Sequence, residues 1–296
     1  LAFQNEYEVE IWCGQNEISN DISLISRAKG SGICVRYIED LRRDVNLKKE
    51  IQVWHNFFVM VNKHQPDILH LNSTKVGCFG SIIGRMCRVK KIVFTAHGLA
   101  NFEDRPRLQK FLIRYLSRLI FILMHDVILI SKFEFSYTRN WYGSSKHKLI
   151  YNGISHLEKR PFEFVTRHFP NTIRKKFNKP HIKHFIGIGE LHKNKGLTYT
   201  LQAFHNLKML GYDFMYVHFG DGELKQQLLK QVAQLGLEEN IYFFGFIDNA
   251  SAYLSYFDGL VFSSIKEGLP YVVIEAGYAG IPVFVSCVGG IPEIII

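Results

Sequence analysis

The sequence predicts an α/β protein of two doubly wound parallel-sheet, Rossmann-like domains facing a cleft, on three observations. Short apolar runs alternate with helical patterns along most of the chain, the signature of a parallel sheet covered on both faces. The alternation stops once, across 153–180, where the chain is polar, basic and weakly periodic, and then restarts. At 296 residues and 47% hydrophobic composition, two ordinary cores can be enclosed. The expected division is 1–152 as a first Rossmann-like domain, 153–180 as a linker and 181–296 as a second domain.

In order, 7–13 alternates and is rich in β-formers, so it reads as a strand, as does 33–38. Residues 47–63 have helical periodicity. Short apolar strands are expected at 67–71, 91–96, 127–131 and 148–151, with helices near 76–88, 106–124 and 132–142 between them. Asn152-Gly153 reads as a turn. The second half gives strands at 184–189, 214–219, 241–244, 260–263 and 283–286, and helices at 197–210 and 223–235. In open sheets of this kind ligands bind beyond the carboxyl ends of the strands, so two facing domains would put those ends on both walls of a cleft.

The formal charge of +9 is uneven: the first half and the 153–180 stretch are basic, the last third mildly acidic. Cys13, Cys34, Cys78, Cys87 and Cys287 are an odd, scattered set without a CxxC pair, which suggests neither a disulfide framework nor a zinc site and fits a reducing cytoplasm. No run reaches the roughly 20 apolar residues of a membrane span. The apolar run at 119–124 is hemmed in by Arg118 and by His125-Asp126. No secretory leader is read, although the chain opens at Leu1, which leaves room for a segment upstream. Charge alone raises a nucleic-acid binder, but no helix-turn-helix, zinc or aromatic RNA-binding motif accompanies it, and no nucleic acid is expected.

The stretch 262–293 reads strand, polar loop, helix, strand, glycine turn. Pro270 suits the first turn of a helix, whose unpaired N–H groups and positive dipole end make a seat for a phosphate. Glu267 and Glu275 flank that seat, so phosphate would meet N–H groups while the carboxylates accept hydrogen bonds from hydroxyls. Taken alone, the two would be a solvated loop residue and an exposed helix residue.

The wider pattern is specific. Glu267, seven residues, Glu275, then Ala276-Gly277, Gly280-Ile281-Pro282-Val283 and Gly289-Gly290-Ile291-Pro292-Glu293 resembles the donor-site signature of retaining glycosyltransferases of family 4, the glycosyl transferases group 1. That resemblance implies the GT-B fold, with the acceptor on the first domain and the nucleotide-sugar on the second. It implies polysaccharide-type synthesis: transfer from a UDP-, GDP- or ADP-sugar to a glycan, lipid-linked glycan or small hydroxyl acceptor. Retention and no metal are expected, and no Asp-x-Asp motif occurs. It also implies further segments at both ends, including a first strand with a glycine-rich loop.

The same resemblance distributes roles. The turn Gly187-Ile188-Gly189-Glu190-Leu191 with Lys195-Gly196 ends the first strand of the second domain. Lys195 matches the family's diphosphate lysine, while Glu190 stands where an arginine is usual; Lys266 is the expected substitute cation. Lys195 and the N–H groups of Gly268 and Leu269 would hold the diphosphate, Glu275 the ribose and Glu267 the sugar hydroxyls, with no nucleophilic role for Glu267. Gly220-Asp221-Gly222, followed by Phe244-Gly245-Phe246, would let the nucleotide approach the backbone. His97, in Thr95-Ala96-His97-Gly98 at a strand end, would reach the same sugar. Each has a plainer reading: loop lysine, strand-to-helix turn, hydrogen-bonded histidine.

Arg107, Lys110, Arg114 and Arg118 form one helical stripe beside Leu108, Phe111, Leu112, Tyr115 and Leu119. Such a helix suits peripheral contact with an anionic membrane at its inner face, or a core helix with a solvated side. Competing functions are a nucleotide-binding GT-B fragment without turnover, which Glu190 favours, and a nucleotide-sugar isomerase, which the Glu267/Glu275 pattern disfavours.

Overall fold

A computed structural model describes residues 6–14, 25, 28–41, 47–103, 105–157, 159–166 and 169–295. The chain divides into two compact units. One holds Leu1–Ala96, Tyr115–Ile128 and Trp141–His147; the other holds His97–Arg114, Leu129–Asn140 and Lys148–Ile296.

In the first part of the chain β1 (Glu10–Gly14) pairs in parallel with β2 (Cys34–Ile38). The long helix α1 (Leu47–His64) follows. Then come β3 (Ile68–Leu71), α2 (Thr74–Met86), β4 (Lys91–Ala96), α3 (Arg107–Leu123), β5 (Asp126–Leu129), α4 (Lys132–Thr138) and β6 (His147–Leu149). Strands β3-β4-β5-β6 form one sheet in that order, with β3 and β4 parallel. Ser73 starts α2 by accepting the Val76 N–H at 3.2 Å. The helix then lies close on the sheet because Gly77, Gly80 and Gly84 recur at helical spacing; a Cβ on any of them would come within 2.8 Å of Phe94, Leu71 or Ile92.

The rest of the chain carries α5 (Phe162–Thr166), α6 (Asn171–Phe177), β7 (Lys183–Ile188), α7 (Leu197–Met209), β8 (Phe214–Phe219), α8 (Lys225–Gln234), β9 (Ile241–Phe243), β10 (Gly259–Phe262), α9 (Tyr271–Tyr278) and β11 (Val283–Val285). The sheet order is β11-β10-β7-β8-β9, and every pair is parallel. β8 is buried along its whole length. Met215, Val217 and Phe219 face one core with Leu260, Val273 and Ala276, while Phe214 and Tyr216 face the other with Leu201, Phe204 and Leu228.

That order places the topological switch between β7 and β10. β8 and β9 add to one side of β7, then the chain crosses to the other side, so the loops leaving β7 and β10 diverge and open a crevice at their carboxyl ends.

Three local differences from expectation have physical causes. The basic stretch expected as a linker contains α5 and α6, because Phe169 and Ile173 anchor it in the core. The helix expected across 132–142 ends at Thr138, and Trp141 beyond it is buried. A 3-10 helix, Ala250–Tyr256, packs four small or apolar residues inward where no element was read.

Candidate active site

The switch point is built by the loops after β7 and β10, which are latched together. Gly196, the residue before α7, has φ +59°, and a Cβ there would lie 2.2 Å from the Ser263 carbonyl oxygen, so only glycine allows the approach. Ser263 Oγ donates to the carbonyls of Gly196 (2.9 Å) and Lys195 (3.2 Å), and pairs with Thr200 Oγ1 at 2.6 Å. The latch brings two predicted residues together: Lys195 Nζ lies 2.7 Å from Glu267 Oε1 and over the Phe262 ring at 5.1 Å from its centroid. Ile188, Gly189, Lys195, His218 and Ser263 line a small pocket beside this pair.

Behind the pocket the β7 and β8 ends touch through backbone. Gly189 and Gly220 have φ of +153° and +148°, and a Cβ on Gly220 would sit 1.8 Å from the Gly189 carbonyl oxygen. Gly222 also lies close to Leu191, whose carbonyl oxygen would be 2.6 Å from an added Cβ. His218 braces the turn: Nε2 bonds the Gly189 carbonyl at 2.9 Å and Nδ1 bonds the Tyr216 hydroxyl at 2.8 Å. A carbonyl accepts only, so Nε2 carries the proton and Nδ1 accepts from Tyr216. Burial drives the His218 pKa down to about 4, which keeps the ring neutral.

α9 opens at Pro270, which supplies no side-chain cap. Among the described residues the N–H groups of Gly268 and Leu269 donate to no protein acceptor. Their carbonyls are fixed: Gly268 accepts the Gly290 N–H at 2.7 Å, and Leu269 accepts Asn152 Nδ2 at 2.8 Å. The turn is therefore held by its oxygens, among the described residues, and not by its N–H groups. Glu275 lies farther along α9 with other neighbours; burial raises its pKa, and a hydrogen bond with Ser251 pulls the other way.

His97 and the residues after it belong to the same compact unit as this turn. His97 is an exposed residue, and partial desolvation of its ring lowers its pKa. Its backbone touches Gly268, where an added Cβ would lie 3.0 Å from the His97 carbonyl oxygen. Lys266 turns to Glu103, Nζ to Oε1 at 3.0 Å. Burial works against the Glu103 charge, yet Lys266 and Arg105 together hold its pKa below the usual range. Glu134, on α4, is fully buried and accepts the Leu99 N–H at 2.6 Å. Glu293 reaches across the chain to accept the N–H groups of Lys132 and Phe133 at 2.7 and 2.8 Å, capping α4.

The structure thus joins Lys195 to Glu267, Gly189 to Gly220, and His97 to Gly268. It gives Lys266 to Glu103 and Glu275 to Ser251. Among the described residues no group of three or more His, Cys, Asp or Glu could hold a metal ion. Sequence reasoning missed Asn152, Ser263, His218 and Glu134. The Asn-Gly pair was legible as a turn, but its partner at Leu269 lies 117 residues away.

A model described as Glycosyltransferase Family 4 matches residues 7–156, and one described as Glycosyl transferases group 1 matches 170–296. The chain belongs to glycosyltransferase family 4. This family 4 chain is 27% identical over 293 residues to the Escherichia coli UDP-Gal:alpha-D-GlcNAc-diphosphoundecaprenol alpha-1,3-galactosyltransferase, covering 91% of the chain and 72% of that relative. It is 29% identical over 227 residues to the Escherichia coli O-antigen biosynthesis glycosyltransferase WclY, covering 74% of the chain but 61% of that protein. The crystal structure of Anabaena HepE in complex with UDP and glucose superposes with a TM-score of 0.73 at 18% identity, over 97% of the chain and 83% of HepE. The fold of the family 4 chain is therefore GT-B, as its motifs implied.

Proposed function

We propose that this chain transfers a sugar from a nucleoside-diphosphate sugar to a hydroxyl of a glycan or lipid-linked glycan, with retention and without a metal. The observation that carries the reading is the Lys195–Glu267 pair at the switch point, beside a turn whose Gly268 and Leu269 N–H groups have no protein acceptor among the described residues. A diphosphate seated there would take the Lys195 ammonium and those N–H groups, which together offset the charge that develops on the leaving group. Glu267, relieved of its lysine, would accept hydrogen bonds from sugar hydroxyls; Glu275 is assigned the ribose and His97 the sugar. No carboxylate is assigned as nucleophile, because an acceptor attacking on the leaving-group face needs none.

A UDP-sugar and a diphosphoundecaprenol-linked acceptor are the first pair to try, on the relatives' named substrates. Contact with the membrane that holds such an acceptor is assigned to α3. Leu108, Phe111, Leu112, Tyr115, Leu116 and Leu119 stand on it with exposures of 45–70%, beside its basic stripe. Among the described residues no helix is long and apolar enough to cross a membrane.

The test is calorimetric titration of the full chain with UDP, GDP and ADP without metal, followed by transfer from the matching sugar nucleotide and determination of the product anomer. One nucleotide bound, and a product of retained configuration, would support the reading. Binding without turnover on any acceptor would favour the nucleotide-binding fragment, and no binding would end the donor-site assignment.

A further inference from the structure

Glu134 lies outside the predicted site yet bonds the segment that follows His97. The side chain is completely buried on α4. One carboxyl oxygen accepts the Leu99 N–H at 2.6 Å, while Oε2 has no hydrogen-bond partner among the described residues. Ser131 accepts the Glu134 N–H at 3.2 Å and Glu293 caps the two residues before it, so the helix that carries the carboxyl is fixed at its start. Leu99 is the second residue after His97, and the His97–Gly98 backbone lies against Gly268: an ideal Cβ on Gly98 would be 3.6 Å from the Gly268 N and 3.7 Å from Lys266 Cε.

We infer that Glu134 is a positioning residue for His97: its interior carboxyl holds the Leu99 N–H, seats the His97–Gly98 turn against Gly268, and resets that turn when it gains or loses a proton. The inference rests on the donor-site reading for its functional meaning, not for its geometry. An ionised Glu134 makes a stronger bond to Leu99 than a neutral one, because a charged acceptor roughly doubles the hydrogen bond. The unpartnered oxygen is the place where a proton enters without breaking that bond.

The charged groups around it act in opposite senses. Lys266, in the loop after β10, favours the carboxylate; Glu293, in the turn Ile291–Glu293, opposes it. Lys266 is itself shared with Glu103 and Arg105, and Glu293 is bonded by Tyr151. Burial outweighs these and brings the carboxyl to a pKa of about 7, so both states are populated near neutrality.

The experiment compares the unmodified chain with Glu134→Gln and Glu134→Ala by hydrogen exchange at the Leu99 amide and by NMR titration of the His97 ring, with UDP binding measured alongside. In the wild type the His97 resonance should show an inflection near pH 7 in addition to its own lower one. Glu134→Gln, which keeps an acceptor for Leu99, should retain amide protection and lose that inflection. Glu134→Ala should accelerate Leu99 exchange by about tenfold or more, the scale of losing a hydrogen bond to a charged group. Unchanged Leu99 exchange in a folded Glu134→Ala chain, or an inflection that persists in Glu134→Gln, would overturn the inference. Absence of UDP binding by the wild type would sink the donor-site reading alone, since exchange and ring titration decide the positioning role without it.

Discussion

The ammonium of Lys195 and the carboxylate of Glu267, 72 residues apart in sequence, meet at 2.7 Å. With side-chain exposures of 27% and 12%, each screens the other from becoming an isolated charge in a crevice. An incoming diphosphate competes with Glu267 for the lysine, so the two residues have opposite expected effects. Lys195→Ala should weaken UDP binding by about 10- to 100-fold, the scale of one charge-assisted hydrogen bond. Glu267→Gln should bind UDP as well as or better than the wild type, yet lose sugar transfer by at least about 100-fold. Calorimetry with UDP checks this, and equal loss of UDP affinity in both variants would contradict it.

Two glycines should respond to alanine with opposite signs. Gly220→Ala drives a Cβ into the Gly189 carbonyl at a φ of +148° and should cost at least about 2 kcal/mol, with loss of UDP binding. Gly277, on α9, has nothing within 4 Å of an added Cβ. Gly277→Ala should therefore stabilise by about 0.5–1 kcal/mol through helix propensity. Urea denaturation of both variants is the measurement.

His218 and Glu134 make stability respond to pH in opposing directions. The folded pKa of His218, about 4, lies below its unfolded value. Its contribution is present above roughly pH 6.5 and is lost as pH falls toward 4, amounting to up to about 3 kcal/mol. Glu134 has a raised folded pKa of about 7, so its contribution is present at acid pH and is lost as pH rises from the ordinary carboxyl range through 7. The wild type should be nearly flat where the two windows overlap. Glu134→Gln should expose the acid loss, and His218→Asn should expose the loss toward neutrality. A Glu134→Gln chain with a flat acid limb would refute the burial of a neutral His218.

The apolar stripe of α3 is the part to change in testing membrane contact. Arg114 and Arg118 lie over Tyr137 and Trp141 at 5.2 and 5.3 Å, so replacing them also disturbs packing. Phe111→Glu with Leu112→Glu should reduce co-sedimentation with phosphatidylglycerol vesicles about tenfold or more while leaving the melting temperature near that of the wild type. If the unmodified protein does not bind the vesicles, the membrane assignment falls.

The sheet-and-helix alternation was legible because buried parallel strands are near-continuous apolar runs and the helices between them keep a 3.6-residue period. The family resemblance singles out Glu267, Lys195 and the glycines at 189, 220 and 222, and the structure brings Lys195 to Glu267 and Gly220 to Gly189. What stayed hidden depends on contact between distant positions. Nothing local marks Ser263 as the latch for Gly196, Asn152 as the partner of Leu269, or Glu134 as an interior carboxyl on an otherwise ordinary helix. The stretch 153–180 read as a connector because its charges outnumber apolar residues such as Phe169 and Ile173, yet those two are buried in the core.

The cap on α4 has a consequence in time. The acceptor for the Lys132 N–H is a side chain 161 positions later. During synthesis α4 leaves the ribosome with its first amides bonded only to water, and a seven-residue helix is marginal in that state. Its final stabilisation must wait until Glu293 has emerged and the turn Ile291–Glu293 has formed. Maturation of the segment beneath His97 is thus a late event in biogenesis, coupled to completion of the chain's second half.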